Sequence, residues 1–127
     1  MSNNHILLAA RILLAIIFIL AGAMKFGGIE GTAGYIASVG LPAATLLAWL
    51  AAIFELVAGI AILVGFQTRN TAYLLAAFCI FTAFVFHFQP ADQTQFIMFL
   101  KNLAMAGGFL ALAVSGAGSL SVDGRRS

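Results

Sequence analysis

Six side chains that could do chemistry sit inside apolar stretches of this 127-residue chain. Arg11 and Lys25 lie in the first stretch, Glu55 in the second, His87 near the end of the third, and Lys101 with Asn102 in the fourth. A carboxylate can carry a proton, while imidazole, ammonium and amide groups can hydrogen-bond a small carbonyl ligand. A charge in hydrocarbon costs roughly 2.5–3.5 kcal/mol on insertion scales, so such groups face a partner or a polar cavity and mark function. The competing reading is structural: a buried Arg–Glu–Lys set can fix helix register without touching a ligand. The sequence leaves both open.

The elements that must position these groups follow from composition. The chain is 63% hydrophobic and 8% charged, with mean hydropathy +1.10. Soluble domains are about 25% charged. The composition therefore predicts one integral membrane domain over residues 1–127, with no separate water-soluble domain. The sequence pI near 9.1 rests on six basic against four acidic residues. That surplus is too thin for nucleic-acid binding, and the basic residues read as topology signals.

Apolar runs predict four spans, at about 6–26, 43–66, 71–88 and 96–115. The first would give about 31 Å of helix, enough for a hydrocarbon core of about 30 Å. Gly27-Gly28 ends it. The segment 29–42 is too short and polar to cross, and its Tyr35–Val39 part is expected to form a helical turn at the interface. Gln67-Thr68-Arg69-Asn70 and Gln89-Pro90-Ala91-Asp92-Gln93 read as polar turns. Short loops imply antiparallel neighbours, so the expected fold is all-α, an up-down four-helix bundle in the membrane. The small, polar tail from Gly116 reads as mobile. Arg11, Arg69, Arg125 and Arg126 fall on the side of both termini, against Lys25 and Lys101 on the other. The positive-inside rule then places both termini in the cytoplasm.

Helical spacing groups the charges with small residues. Ala48, Ala52, Glu55, Gly59 and Ile62 share one face; so do Arg11, Ala15, Phe18, Gly22 and Lys25, and Lys101, Ala104, Gly108, Ala111 and Ser115. Small residues let helices approach closely. These faces are expected to point inward, with Glu55 contacting Arg11, Lys101 or both. Glu55 would lie about midway between them, within reach of long cationic stems at roughly 7 Å in depth from each.

Several classes are disfavoured. A lone cysteine, Cys79, rules out an intrachain dithiol relay and reads as a small buried hydrophobe. His5 and His87 fall on opposite sides of the membrane, so neither a two-histidine haem site nor a metal site is expected. Ala21-Gly22-Ala23 has the form of a signal cleavage site, but Arg11 interrupts the apolar run and no basic residue precedes it. Processing there is not expected.

Taken in order, the residues resemble the DoxX family of small four-helix membrane proteins. The likeness runs from Arg11 to about Ala113. It rests on Ala21-Gly22-Ala23-Met24-Lys25-Phe26, Gly40-Leu41-Pro42, Phe54-Glu55-Leu56-Val57-Ala58-Gly59, Gly65-Phe66-Gln67-Thr68-Arg69, Phe86-His87-Phe88 and Lys101-Asn102-Leu103-Ala104-Met105-Ala106-Gly107-Gly108. The resemblance implies a bacterial inner-membrane protein linked to quinone-coupled oxidation of sulfur compounds and to oxidative stress. It also implies soluble or membrane redox partner proteins.

Two functions are carried forward. One is a redox-associated accessory subunit, whose own catalysis is left open, holding a quinone or another small ligand. Its expected lining is Glu55, Phe84, His87, Lys101 and Asn102, in the half away from the termini. The other is a non-catalytic scaffold or small-solute permeation protein. The lipid bilayer is the certain partner in either reading, and homo-oligomerisation is open.

Overall fold

The structure is a computed structural model that describes residues 2–126. Its helices are α1 (Asn3–Phe26), α2 (Ile29–Ser38), α3 (Ala44–Val64), α4 (Thr68–Phe86), α5 (Gln93–Ser115) and α6 (Val122–Arg126). Among the described residues, α1, α3, α4 and α5 are long and apolar enough to cross a membrane. Their 19 to 24 residues give about 29–36 Å of helix. Large apolar side chains such as Leu13, Met24 and Val114 stand more than 70% exposed. Lipid is the environment in which such a surface is stable.

Local chemistry sets the ends. The Ser2 hydroxyl accepts from the His5 amide at 3.3 Å, and α1 stops at Gly27. Asp92 caps α5 by accepting from the Gln95 amide at 3.2 Å. Helix α3 ends on Gly65, at φ 72, where only glycine is free of strain. A side chain at Gly65 would also collide with Ser121 and with the Arg11 guanidinium.

The spans pack as two close pairs. Helix α1 lies antiparallel on α3, and α4 on α5. The first pair touches nearly backbone to backbone. A Cβ on Gly22 would lie 2.6 Å from the Leu56 amide nitrogen, and one on Gly59 would lie 3.0 Å from that of Ile19. The small faces of α1 and α3 thus do point inward. In the half that holds the termini, the two pairs close on a core of Ala15, Phe18, Ile62, Leu75, Phe109 and Leu112. In the other half they diverge.

Two segments differ from expectation. The interfacial turn is instead a ten-residue helix, α2, which packs on α3 and reaches the end of α4. There the Tyr35 hydroxyl donates to the Phe86 carbonyl at 3.2 Å. The tail after Gly116, expected to be mobile, is strapped across the end of the bundle. The Ser119 amide donates to Asn4 Oδ1 at 3.0 Å, and the Asp123 amide to the Gly65 carbonyl at 2.9 Å. Asp123 in turn caps α4, accepting from the Gln67 and Thr68 amides at 2.8 Å each. A helix start leaves N–H groups unpaired, and this carboxylate satisfies two of them from 56 and 55 residues away in sequence.

Candidate functional site

Glu55 faces inward from the middle of α3, between the buried Ala48, Ala52, Ala58 and Gly59. Its partner is Lys25, from the last turn of α1. The ammonium nitrogen lies 3.0 Å from one carboxylate oxygen and 3.1 Å from the other. The Glu55 side chain is 6% exposed and that of Lys25 is 27% exposed, so the pair has one dry member and one that reaches the edge.

This corrects the expected Arg11–Glu55–Lys101 set. Arg11 is fully buried but binds elsewhere: Nη1 donates to the Leu63 carbonyl at 2.9 Å and to the Ile62 carbonyl at 3.5 Å, and Nη2 donates to the Leu120 carbonyl. The last carbonyls of a helix lack internal partners, and Arg11 supplies them. Ile62 is two helical turns beyond Glu55, about 10 Å along the axis. Lys101 is exposed on the outer side of α5. The buried face of α5 is Phe99, Asn102, Ala106, Phe109, Leu112 and Ala113. One residue is about 100° of helix rotation, so turning Asn102 inward turns Lys101 out. The stripe of Lys101 and Ala104 therefore faces outward as well.

Where the pairs diverge lies a cleft of about 760 Å³. That is within the roughly 300–1,000 Å³ usual for small-molecule sites. Its walls are mainly apolar and include Phe18, Leu47, Leu50, Phe54, Leu74 and Phe78. Lys25, Glu55, His87, Asn102, Thr82 and Tyr35 supply its polar groups. The Asn102 amide donates to Thr82 Oγ1 at 2.9 Å and to the Cys79 carbonyl at 3.3 Å, which fixes its direction. His87 ends α4, its Nδ1 2.8 Å from Gln95 Oε1.

Three of the five expected lining residues, Glu55, His87 and Asn102, border this one cleft. Lys101 and Phe84 do not. Phe84 is 56% exposed; its ring meets Phe99 edge-on and is tilted against Phe88, at centroid distances of 5.1 and 5.7 Å. The sequence marks Lys25 as an internal charge but not as the partner of Glu55 or part of the lining, and it does not mark Tyr35, Thr82 or the Phe54–Phe78 pair, whose rings lie 5.1 Å apart. One signal for Lys25 was present: it shares the stripe of Phe18 and Gly22. Among the described residues, no group of three or more His, Cys, Asp or Glu side chains could hold a metal.

The chain has clear relatives. It is 46% identical to the Inner membrane protein YqjF of Escherichia coli (strain K12), over 91% of this chain and 88% of that one. It is 40% identical to the Inner membrane protein YphA of the same strain, over 94% and 89%. A third relative, named "Putative oxidoreductase CatD", from Bacillus subtilis (strain 168), is 38% identical over 54% of this chain and 50% of its own. No solved structure matches the chain. The DoxX family model matches residues 6–88, which include Arg11, Lys25, Tyr35, Glu55 and His87. Four apolar spans, a charged pair inside them and this match together establish that the chain belongs to the DoxX family of membrane proteins.

Proposed function

We propose that this protein is a redox-associated accessory subunit of the bacterial inner membrane that binds a quinone, or a small ring ligand of similar polarity, in the cleft between its helix pairs. The observation that carries this reading is the Lys25–Glu55 ion pair at the wall of a mainly apolar cleft of about 760 Å³. A flat ring with carbonyl oxygens fits such a space. Phe54, Phe78 and Phe18 offer apolar faces, while the Lys25 ammonium offers hydrogen-bond donors; the His87 Nδ1–H is spent on Gln95 Oε1, which leaves the neutral ring's Nε2 as an acceptor. The Glu55 carboxylate offers a place to hold a proton beside the ring. A quinone would supply the two-electron chemistry; the chain's part is to bind, orient and keep water away. The name of the Bacillus relative supports a redox setting.

Permeation is the less favoured reading, because the half of the bundle nearer the termini is packed shut by Phe18, Ile62, Leu75 and Phe109.

The test is binding of decylubiquinone to purified protein in nanodiscs, with mass spectrometry of co-purified small molecules. Binding is expected in the wild type and in Lys101→Met, and is expected to weaken by about tenfold, or 1.4 kcal/mol, in Lys25→Met. Equal affinity in wild type and Lys25→Met, with no ring compound co-purifying, overturns the reading.

A further inference from the structure

The cleft is closed in two directions and open in a third. Toward the termini it ends on the packed core. Toward the opposite water face it is roofed by α2. Tyr35 ties that roof to α4 through its hydroxyl, 3.2 Å from the Phe86 carbonyl, and through its ring, 5.3 Å from the Phe86 ring. The remaining side is lateral. Leu50 on α3 and Leu74 and Phe81 on α4 all border the cleft, yet are 52%, 59% and 52% exposed. A residue that lines a cavity and is also half exposed stands at its mouth; by the same measure Ile17 and Met98, 48% and 40% exposed, mark a second and less exposed opening between α1 and α5. Leu50, Leu74 and Phe81 face the bilayer from α3 and α4, on either side of the Phe54–Phe78 ring contact that joins the two helices, 5.1 Å between centroids.

We infer that the ligand is a long-tailed amphiphile loaded sideways from the bilayer through the seam between α3 and α4, its polar head at Lys25–Glu55 and its tail passing Leu50, Leu74 and Phe81 into the acyl chains. The inference rests on the reading of the cleft as a ligand site, and adds the chemical class and the route. The physical reasons are two. A wholly apolar mouth gives a water-soluble ligand no polar step on the way in, whereas a tail loses nothing by lying in it, since both surroundings are hydrocarbon. The polar head gains inside the cleft, away from the mouth, where the charged pair stands with the Lys25 ammonium 3.0 Å from Glu55. Head and tail thus have opposite best places, which selects an amphiphile and fixes its orientation.

The experiment uses three probes on full-length protein in nanodiscs: decylubiquinone, the tail-less parent 2,3-dimethoxy-5-methylbenzoquinone, and a decyl analogue with a diazirine at the tail end. After photolysis, peptide mapping is expected to place the tail label on the Leu50 and Leu74–Phe81 segments. Leu50→Trp with Leu74→Trp narrows the mouth and is expected to weaken decylubiquinone binding by about tenfold, leaving the tail-less probe unchanged. Leu13→Trp with Val114→Trp, at exposed positions that do not border the cleft, is expected to retain both, which separates a blocked route from a general effect of added tryptophan. Tail label on α2, or on Ile17 and Met98 at the far seam, overturns the lateral route while the cleft remains a ligand site. Equal loss of both probes in the double variant does the same. If neither probe binds the wild type, this inference and the reading beneath it fall together.

Discussion

Lys25 and Glu55 stand 30 residues apart in sequence and 3.0 Å apart in space, joining the end of α1 to the middle of α3. The pair is asymmetric. Glu55 is dry, whereas Lys25 has a flexible stem and partial exposure. Removing either partner therefore has different consequences. Lys25→Met strands a buried carboxylate and should lower stability in detergent by up to about 3–5 kcal/mol. Glu55→Gln frees a lysine that can turn toward water and should cost about 1–3 kcal/mol. Replacing both, as Lys25→Met with Glu55→Leu, should recover part of the Lys25→Met loss. Thermal unfolding of the three variants measures the order; equal losses in the two single variants would show that the pair is not asymmetric.

The α1–α3 seam makes a steric prediction. At Gly22 a Cβ meets backbone, at 2.6 Å from the Leu56 nitrogen, and backbone cannot step aside as a side chain can. Gly22→Val should destabilise by at least about 1–3 kcal/mol. Gly107 meets nothing within 4 Å, so Gly107→Ala should be neutral or slightly stabilising, by up to about 1 kcal/mol. Melting temperatures of the two variants, measured side by side, decide it.

The strap over the bundle end should depend on pH. Burial pushes the Asp123 carboxyl up, but the hydrogen bonds from Thr68 and Gln67 and the charge of Arg126 pull it further down, to a net value below the ordinary one. A carboxyl lowered on folding stabilises above its unfolded pKa of about 3.9 and loses that contribution as pH falls through the folded value. Amide exchange at Gln67 and Thr68 should stay protected from neutral pH to about 4 and weaken below it. Asp123→Asn should show weaker protection at neutral pH and lack the acid-side loss.

Orientation is predicted from charge. Arg11, Arg69, Arg125 and Arg126 lie toward the end with the termini, and Lys25 and Lys101 toward the other. The positive-inside rule puts both termini in the cytoplasm. A fluorescent-protein fusion at the C-terminus should be bright, and an alkaline phosphatase insertion in the 29–42 loop should be active. Active phosphatase at an unprocessed C-terminus would reverse the assignment.

Composition and periodicity determined the four spans, because a bilayer demands about 20 apolar residues per helix and little else. They also determined which faces of α1 and α3 are small and inward, since Gly22, Ala52 and Gly59 recur at helical spacing and close approach requires small residues. The inward direction of Glu55 came with that face. Tertiary structure decided the partners. Long cationic stems reach several turns, so spacing alone points Glu55 to Arg11 or Lys101 and does not single out Lys25. The antiparallel register of α1 on α3 settles it, carrying Arg11 to the carbonyls of Ile62 and Leu63 and leaving Lys25 beside the carboxylate. The rotation of α5 is another such choice: adjacent Lys101 and Asn102 are both polar, and only the packing of Phe109 and Ala106 turns the amide in and the ammonium out. The strap lay beyond local reading altogether, because Asp123 finds its partners at the start of α4 and no short-range pattern connects residues that far apart.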